Sequence, residues 1–305
     1  MYFYKMKNLS FSVLLFLSFF VMSCNDDENI IEDIFNFPET ALINTESDRT
    51  FDQTAADLEA AVTANGFNLV TTVDHAAAAA GAGLMLPPTK VMIFGNPMGG
   101  TQFMQQDQRV GIDLPLKVLL WEAPDNSIQI SYYNAETITD RYDIDDLDDL
   151  ISDVNQKLAT ITGSGNPEEE GELLDAALFL KNKETDKSFD EVYNTVRTEV
   201  TSRGFTVVQE VDHAAAAAAV NMELRPTKVI IFGNPEGGTQ LMQAERQIAI
   251  DLPLKILVWE EEDGDVNVSH YSADFLARRY DIDSLDDLRD NVDEMLEAIV
   301  DAATE

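Results

Sequence analysis

Two histidines stand in the same company and are the residues best placed to do chemistry. His75 follows Asp74 and opens the alanine run of residues 76–80. His213 follows Asp212 and opens the run of residues 214–219. An aspartate directly before a helix can accept hydrogen bonds from the helix's orphan amides. The imidazole then sits at the positive end of the helix, where its charged form is disfavoured. A neutral imidazole is a ligand for a metal or haem iron and a general base. Alternatively, the histidine is a buried or capping residue that fixes a strand-to-helix turn. His270 has Tyr132 as its counterpart 138 residues earlier, so a three-histidine zinc site within one repeat is excluded.

Other polar residues recur at the same spacing. Phe94-Gly95-Asn96-Pro97 returns as Phe232-Gly233-Asn234-Pro235, and Asp113-Leu114-Pro115-Leu116-Lys117 as Asp251-Leu252-Pro253-Leu254-Lys255. The ligand-binding candidates are therefore Asp74, His75, Asn96, Asp113 and Lys117, with Asp212, His213, Asn234, Asp251 and Lys255 as their copies. His75 and His213 are also the metal candidates. The Gly95-Asn96-Pro97 turn ahead of a helix near Thr101 offers free amides to an anion. It lacks the glycine-lysine-serine pattern of a phosphate loop, and a tight, capped turn accounts for it. Lys117 shares a strand face with Leu119 and Trp121, where it should snorkel or pair with a carboxylate; Asp113 or Asp74 is the expected partner. The acids at 143–146 and 281–283 favour a following helix start, and Ser284 reads as its cap. No nucleophile elbow or zinc-protease helix is present.

These residues need a scaffold, and the scaffold is written twice. Every matched pair is offset by 138 positions, and no insertion interrupts the match between Phe51 and Leu150. Each copy is large enough to own a core. A strand is expected over 41–46 and over 179–184. Thr50-Phe51-Asp52-Gln53 and Ser188-Phe189-Asp190-Glu191 both fit a capping box ahead of a helix that ends at Gly66 or Gly204. An alternating strand over 67–73 leads to the Asp-His turn. The alanines that follow let a helix lie close to the sheet, or give a flat ligand room. An apolar strand over 91–94 comes next, then a hairpin of 116–122 with 128–133, and a final amphipathic helix. The expected class is α+β: two repeats, each an antiparallel sheet with helices packed on one face.

Composition narrows the partners. The 305 residues carry 56 acidic and 20 basic side chains, a net charge of −36. Such a surface repels nucleic acid phosphate and anionic headgroups. The one cysteine, Cys24, leaves no internal disulfide and no cysteine-based zinc cluster. Lys5 and Lys7 precede an apolar run over 9–22, the pattern of a secretory signal. The run ends in Val21-Met22-Ser23-Cys24, which resembles a bacterial lipobox and implies acylation of Cys24. Asn25-Asp26-Asp27-Glu28 resembles a surface-export signal of bacterial lipoproteins, or is a solvated tether. The expected division is a signal peptide (1–23), a lipidated tether (24–40), a first repeat (41–161), a linker (162–178) and a second repeat (179–301). The linker carries Gly163, Gly165, Pro167 and an acidic run, with a short helical turn expected over 173–177.

The repeated residues also resemble one known family, the domain of unknown function 302. The resemblance runs through Asp74-His75 and its alanines, Pro88-Thr89, Phe94-Gly95-Asn96-Pro97, Gly100-Thr101, Met104, Asp113–Lys117, Trp121-Glu122, Tyr133 and Arg141, and again through their copies. It implies a small α+β domain similar in arrangement to the TATA-binding-protein-like fold, and no established activity, substrate or cofactor. Tandem copies suggest an internal pseudo-dimer. The functional expectation is a non-catalytic binding or interaction protein, lipid-anchored to the outer membrane of a bacterial cell envelope. The alternatives are a metal- or haem-binding protein using one histidine per repeat, and a hydrolase or isomerase with histidine as base. The ligand or protein partner is not readable.

Overall fold

The computed structural model describes residues 41–144, 146–165 and 179–305. The expected signal peptide, the tether, most of the linker and its helical turn lie outside them. The first repeat runs β1 (Ile43–Ser47), α1 (Phe51–Ala64), β2 (Asn68–Asp74), α2 (His75–Gly81), β3 (Thr89–Gly95), α3 (Pro97–Gln106), a 3₁₀ helix (Gln108–Ile112), β4 (Leu116–Glu122), β5 (Ile128–Tyr132), α4 (Ala135–Asp140) and α5 (Asp148–Thr162). The second repeats this order: β6 (Leu180–Thr185), α6 (Phe189–Ser202), β7 (Thr206–Asp212), α7 (His213–Ala219), β8 (Thr227–Gly233), α8 (Pro235–Ala244), a second 3₁₀ helix (Arg246–Ile250), β9 (Leu254–Glu260), β10 (Val266–Tyr271), α9 (Ala273–Arg279) and α10 (Asp286–Thr304). The α+β class is as expected.

Each repeat holds its own five-stranded sheet, ordered β1-β5-β4-β3-β2 and β6-β10-β9-β8-β7, with every pairing antiparallel. The central strands are buried on both faces. In β4, Leu116, Val118 and Leu120 are buried, yet so is Leu119 on the opposite face. Helix α1 covers one face of its own sheet, touching β2 and β4. The other face meets the other repeat. The first 3₁₀ helix lies on β8, β9 and β10, and the second lies on β3, β4 and β5. A Cβ on Gly111 would come within 3.2 Å of Leu257 Cδ1, so the two chains of packing are in direct contact there. This explains why alternation alone reads weakly in these strands: a sheet buried on both faces shows near-continuous apolar runs.

Local chemistry explains most of the element ends. Thr50 and Gln53 form a reciprocal capping box at α1. Gly66 and Gly204, at φ +79° and +85°, turn the chain out of α1 and α6 in a region that side chains avoid. Gly95 and Gly233 have a different reason: a Cβ at either would meet Pro115 or Pro253 at 3.2 Å. Three expectations fail. Ser188 makes no side-chain cap, although Phe189 still starts α6. Ser284 does not cap α10, because Leu285 takes that place in a left-handed conformation (φ +68°). The helix expected near Thr101 begins at Pro97, whose missing N–H suits the first helical position, with Asn96 as the cap.

Candidate functional site

Asp74 and Asp212 do what their spacing predicts. Asp74 Oδ1 accepts a hydrogen bond from the Ala77 amide at 2.8 Å, and Asp212 Oδ1 accepts one from Ala215 at 2.8 Å. Their other oxygens pair with Lys90 and Lys228 at 3.4 and 3.1 Å. Asn96 and Asn234 are caps as well, accepting from Met98 and Glu236 at 2.9 and 2.8 Å. Asn96 Nδ2 also donates to the Gly66 carbonyl at 3.0 Å, tying two turns together.

The histidines behave differently: each points into the other repeat. Helix α2 lies against α8, and α7 against α3. His213 Nε2 lies 3.2 Å from the Gly111 carbonyl of the first 3₁₀ helix. His75 faces the equivalent backbone, at Ala249 and Leu252, but its buried Nε2 finds no partner of hydrogen-bonding geometry. Burial pushes both imidazoles down to about 4, against the opposing pull of those backbone groups and of Asp74 or Asp212. The cause is desolvation more than the helix end that the sequence suggests. Both rings are neutral at pH 7.

Each histidine walls a cavity that belongs mainly to the opposite repeat. The larger cavity, about 240 Å³, lies in the second repeat between Phe205, Met242, Leu252 and Leu276, with His75 and Ala78 reaching in from the first. The smaller, about 140 Å³, lies in the first repeat between Phe67, Phe103, Met104 and Leu114, closed by His213 and Ala216. Both are lined mostly by apolar side chains, with Asn96 or Asn234 and the glycines of α3 or α8 at one end. Thr101 and Thr239 line these ends too, and their buried Oγ1 atoms have no partner. The bulged residues Val70 and Val208 lie on the walls, where the β2–β3 and β7–β8 registers slip. The alanines thus serve close packing and also form part of a cavity wall.

Asp113, Lys117, Asp251 and Lys255 form a separate centre between the repeats. Lys117 Nζ donates to Asp251 Oδ1 at 3.0 Å, and Lys255 Nζ lies 3.6 Å from Asp113 Oδ1. The partner expected for Lys117, Asp113 or Asp74, is therefore corrected to the aspartate of the opposite copy. Each carboxylate also takes an arginine from its own repeat, Arg141 on Asp113 and Arg279 on Asp251, both at 3.4 Å. Tyr142 and Tyr271 donate to Asp113 Oδ2 at 2.8 and 3.1 Å; Tyr280 and Tyr133 donate to Asp251 Oδ2 at 2.7 and 3.3 Å. The tyrosine oxygens meet in cross-repeat pairs, Tyr133 with Tyr280 at 2.7 Å and Tyr142 with Tyr271 at 2.9 Å. Both guanidinium groups lie by the Tyr133 ring, 4.3 and 4.6 Å from its centre. Burial alone would raise both aspartates, but Arg141 leads the neighbours holding Asp113 far below the carboxylate range, and Lys117 leads those depressing Asp251. Burial holds all four tyrosines protonated.

The candidate residues therefore divide among caps, cavity walls and an interface cluster. The arginines, the tyrosines, Thr101 and Thr239 complete the last two; Thr101, Tyr133, Arg141 and their copies enter the sequence reading through the family resemblance and not as site candidates, and Tyr142 and Tyr280 are not among the candidates either. The Arg141-Tyr142 and Arg279-Tyr280 repetition was the available signal. His270, 2% exposed, lies 3.2 Å through Nδ1 from the Tyr271 carbonyl and lines neither cavity. Among the described residues, no group of three His, Cys, Asp or Glu side chains is gathered to hold a metal ion, and no helix is long and apolar enough to cross a membrane.

A duplicated α+β domain with one interface charge cluster defines the class. The chain belongs to the family described as Domain of unknown function DUF302, which matches residues 43–164 and again 181–303. It is similar to the fluoride-specific ion channel FluC 1 of Brucella suis biovar 1 (strain 1330), 36% identical over 127 residues, 42% of this chain and 48% of that protein. It is equally similar to FluC 2 of Brucella melitensis biotype 1 (strain ATCC 23456 / CCUG 17765 / NCTC 10094 / 16M), 36% identical over 127 residues, 42% of this chain and 45% of the relative. The chain thus spans about half the length of these relatives. A crystal structure of an uncharacterized conserved DUF302 protein from Bacillus stearothermophilus aligns with a TM-score of 0.38 and 15% identity, covering 41% of this chain and 98% of that one.

Proposed function

We propose that the protein is a non-catalytic binding protein of the bacterial cell envelope, held there by a lipid on Cys24, and that each repeat encloses a pocket for a small, largely apolar molecule. The observation that carries this reading is the larger cavity, where Thr239 Oγ1 is buried without a partner and His75 Nε2 meets only the Ala249 and Leu252 backbone, outside good hydrogen-bond geometry, amid apolar side chains. A buried polar atom left unpaired costs about 1–3 kcal/mol, so a ligand with one polar group gains by pairing with it. A cavity of about 240 Å³ falls just under the range of drug-sized pockets, about 300–1,000 Å³, which points to a smaller ligand. A histidine pushed down to about 4 is a weak base at neutral pH, so general-base catalysis has less support than binding.

Native mass spectrometry of protein isolated from its own membranes tests the reading. The expected result is a small-mass adduct that is lost on denaturation and reduced in His75→Phe. A bare chain mass, together with no thermal stabilisation by any of a panel of small alcohols and amides, would overturn it. The neutral imidazole of His75, whose Nε2 makes no hydrogen bond of good geometry, also favours a second reading, ligation of a metal or haem iron at that histidine. Elemental analysis and an absorption spectrum of the same material decide between them. The anchor has its own test: Cys24→Ser should abolish acyl labelling and release the protein from membranes.

A further inference from the structure

The charges of the interface cluster do not cancel. Lys117, Lys255, Arg141 and Arg279 are four cations around two carboxylates, Asp113 and Asp251. The four tyrosines contribute no charge, because burial keeps them protonated. The side chains are deeply enclosed: the lysines are 9% exposed, Arg141 2% and the aspartates 4%. With every group ionised, a protein of net charge −36 thus holds a surplus of positive charge at its centre. A buried charge without a counter-charge is strongly disfavoured. Two details show where the surplus is felt. The two lysines reach into the cluster from opposite repeats, Lys117 Nζ 3.0 Å from Asp251 Oδ1 and Lys255 Nζ 3.6 Å from Asp113 Oδ1. Arg141 Nη2 is buried and has no hydrogen-bond partner.

We propose that this cluster binds a small inorganic anion between Lys117 and Lys255, on the line where the two repeats meet. An anion there relieves the repulsion between the lysines and pairs the surplus charge. The occupant is small because neither cavity reaches these residues, while the slight exposure of the lysines leaves an entry. Two ammonium groups flanked by guanidinium groups suit a halide or an ion of similar size. The cluster has one other relief, loss of the Lys255 proton. Burial and Lys117 push that amine down to about 7, against the pull of Asp113 and Asp251. Proton loss and anion uptake compete, so the anion binds more tightly below pH 7 than above it. The groups facing Lys255 are Asp113 and Lys117 from the first repeat and Asp251 from its own, with Arg279 paired to Asp251; Arg141 and the four tyrosines stay in one protonation state across that range.

The test uses the full chain in two ways. Crystals grown in bromide should show an anomalous peak within hydrogen-bonding distance of Lys117 and Lys255 Nζ. In solution, replacing gluconate by chloride at fixed ionic strength should raise Tm by a few degrees, saturably, and by more at pH 6 than at pH 8. Lys255→Met should abolish that rise. No bromide at the lysines, or identical melting of the native chain in chloride and gluconate, would overturn the proposal. Should Lys255→Met fail to fold, the bromide map and the native melting series decide by themselves.

Discussion

Lys117 Nζ and Asp251 Oδ1 lie 3.0 Å apart, although 134 residues separate them in the chain. Their mirror pair, Lys255 and Asp113, is at 3.6 Å. Each repeat therefore supplies the cation for the other's carboxylate. Such pairs add little net stability when whole, since both charges were taken from water. Removing one partner is another matter. Asp251→Ala should cost about 3–5 kcal/mol, because Lys117 and Arg279 are left buried without their carboxylate. Urea unfolding measures this, and a double-mutant cycle with Lys117→Met should show strong non-additivity. Additive losses would contradict the pairing.

Asp74 offers the contrast. It caps a short helix near the surface and pairs with a partly exposed lysine. Asp74→Ala should therefore cost only about 1 kcal/mol, the usual worth of a lost cap. The same denaturation experiment checks it. A loss as large as that of Asp251→Ala would mean that Asp74 belongs to the core chemistry and not to the turn.

Acid should weaken the fold in two stages. His75 and His213 titrate near 6.5 when unfolded and near 4 when folded. Between those values the unfolded chain binds more protons, so stability falls as pH drops. The contribution is complete above pH 6.5 and shrinks by on the order of 3 kcal/mol per histidine on reaching pH 4. Asp113 and Asp251 are lowered too, though in them the fold favours the charged form where in the histidines it favours the neutral one. Their folded carboxyls are depressed, so their contribution is present above 3.8 and is lost below it. Stability measured by urea from pH 7 to pH 4 should flatten in a His75→Gln, His213→Gln double variant. An unchanged slope would remove the histidines from the account.

Each histidine should act on the far repeat's cavity. Met104 lines the smaller cavity and Met242 the larger. Titrating the protein with a short alcohol should move both methionine methyl signals in NMR. His75→Phe should blunt the Met242 response and spare Met104, and His213→Phe should do the reverse. A variant affecting the methionine of its own repeat would mean that the histidines do not cross.

Much of the fold was readable along the chain because its signals are local. A strand alternates, a helix buries every third or fourth residue, Thr50 and Gln53 cap, Gly66 takes a left-handed turn, and the 138-residue register repeats them all. Signals that depend on small local competitions were less secure. Ser188 and Ser284 have the right chemistry for caps, but neighbouring backbone decides whether a hydroxyl turns inward. The short 3₁₀ helices escaped notice because runs of five residues have no period to detect.

The site was legible as a set of residues and illegible as an arrangement. Sequence alone determined that Asp74, His75, Asn96, Asp113 and Lys117 are written twice in one register, and that each repeat makes one sheet. Only the tertiary structure decided that Asp113 belongs with Lys255, Asp251 with Lys117, and each histidine with the other repeat's cavity. The physical reason is that both copies carry the same charges and the same apolar faces. Within one repeat every pairing looks as good as its cross-repeat twin. What breaks the tie is burial: the second face of each sheet must leave water, the opposite repeat is what covers it, and that docking carries each lysine to the far carboxylate.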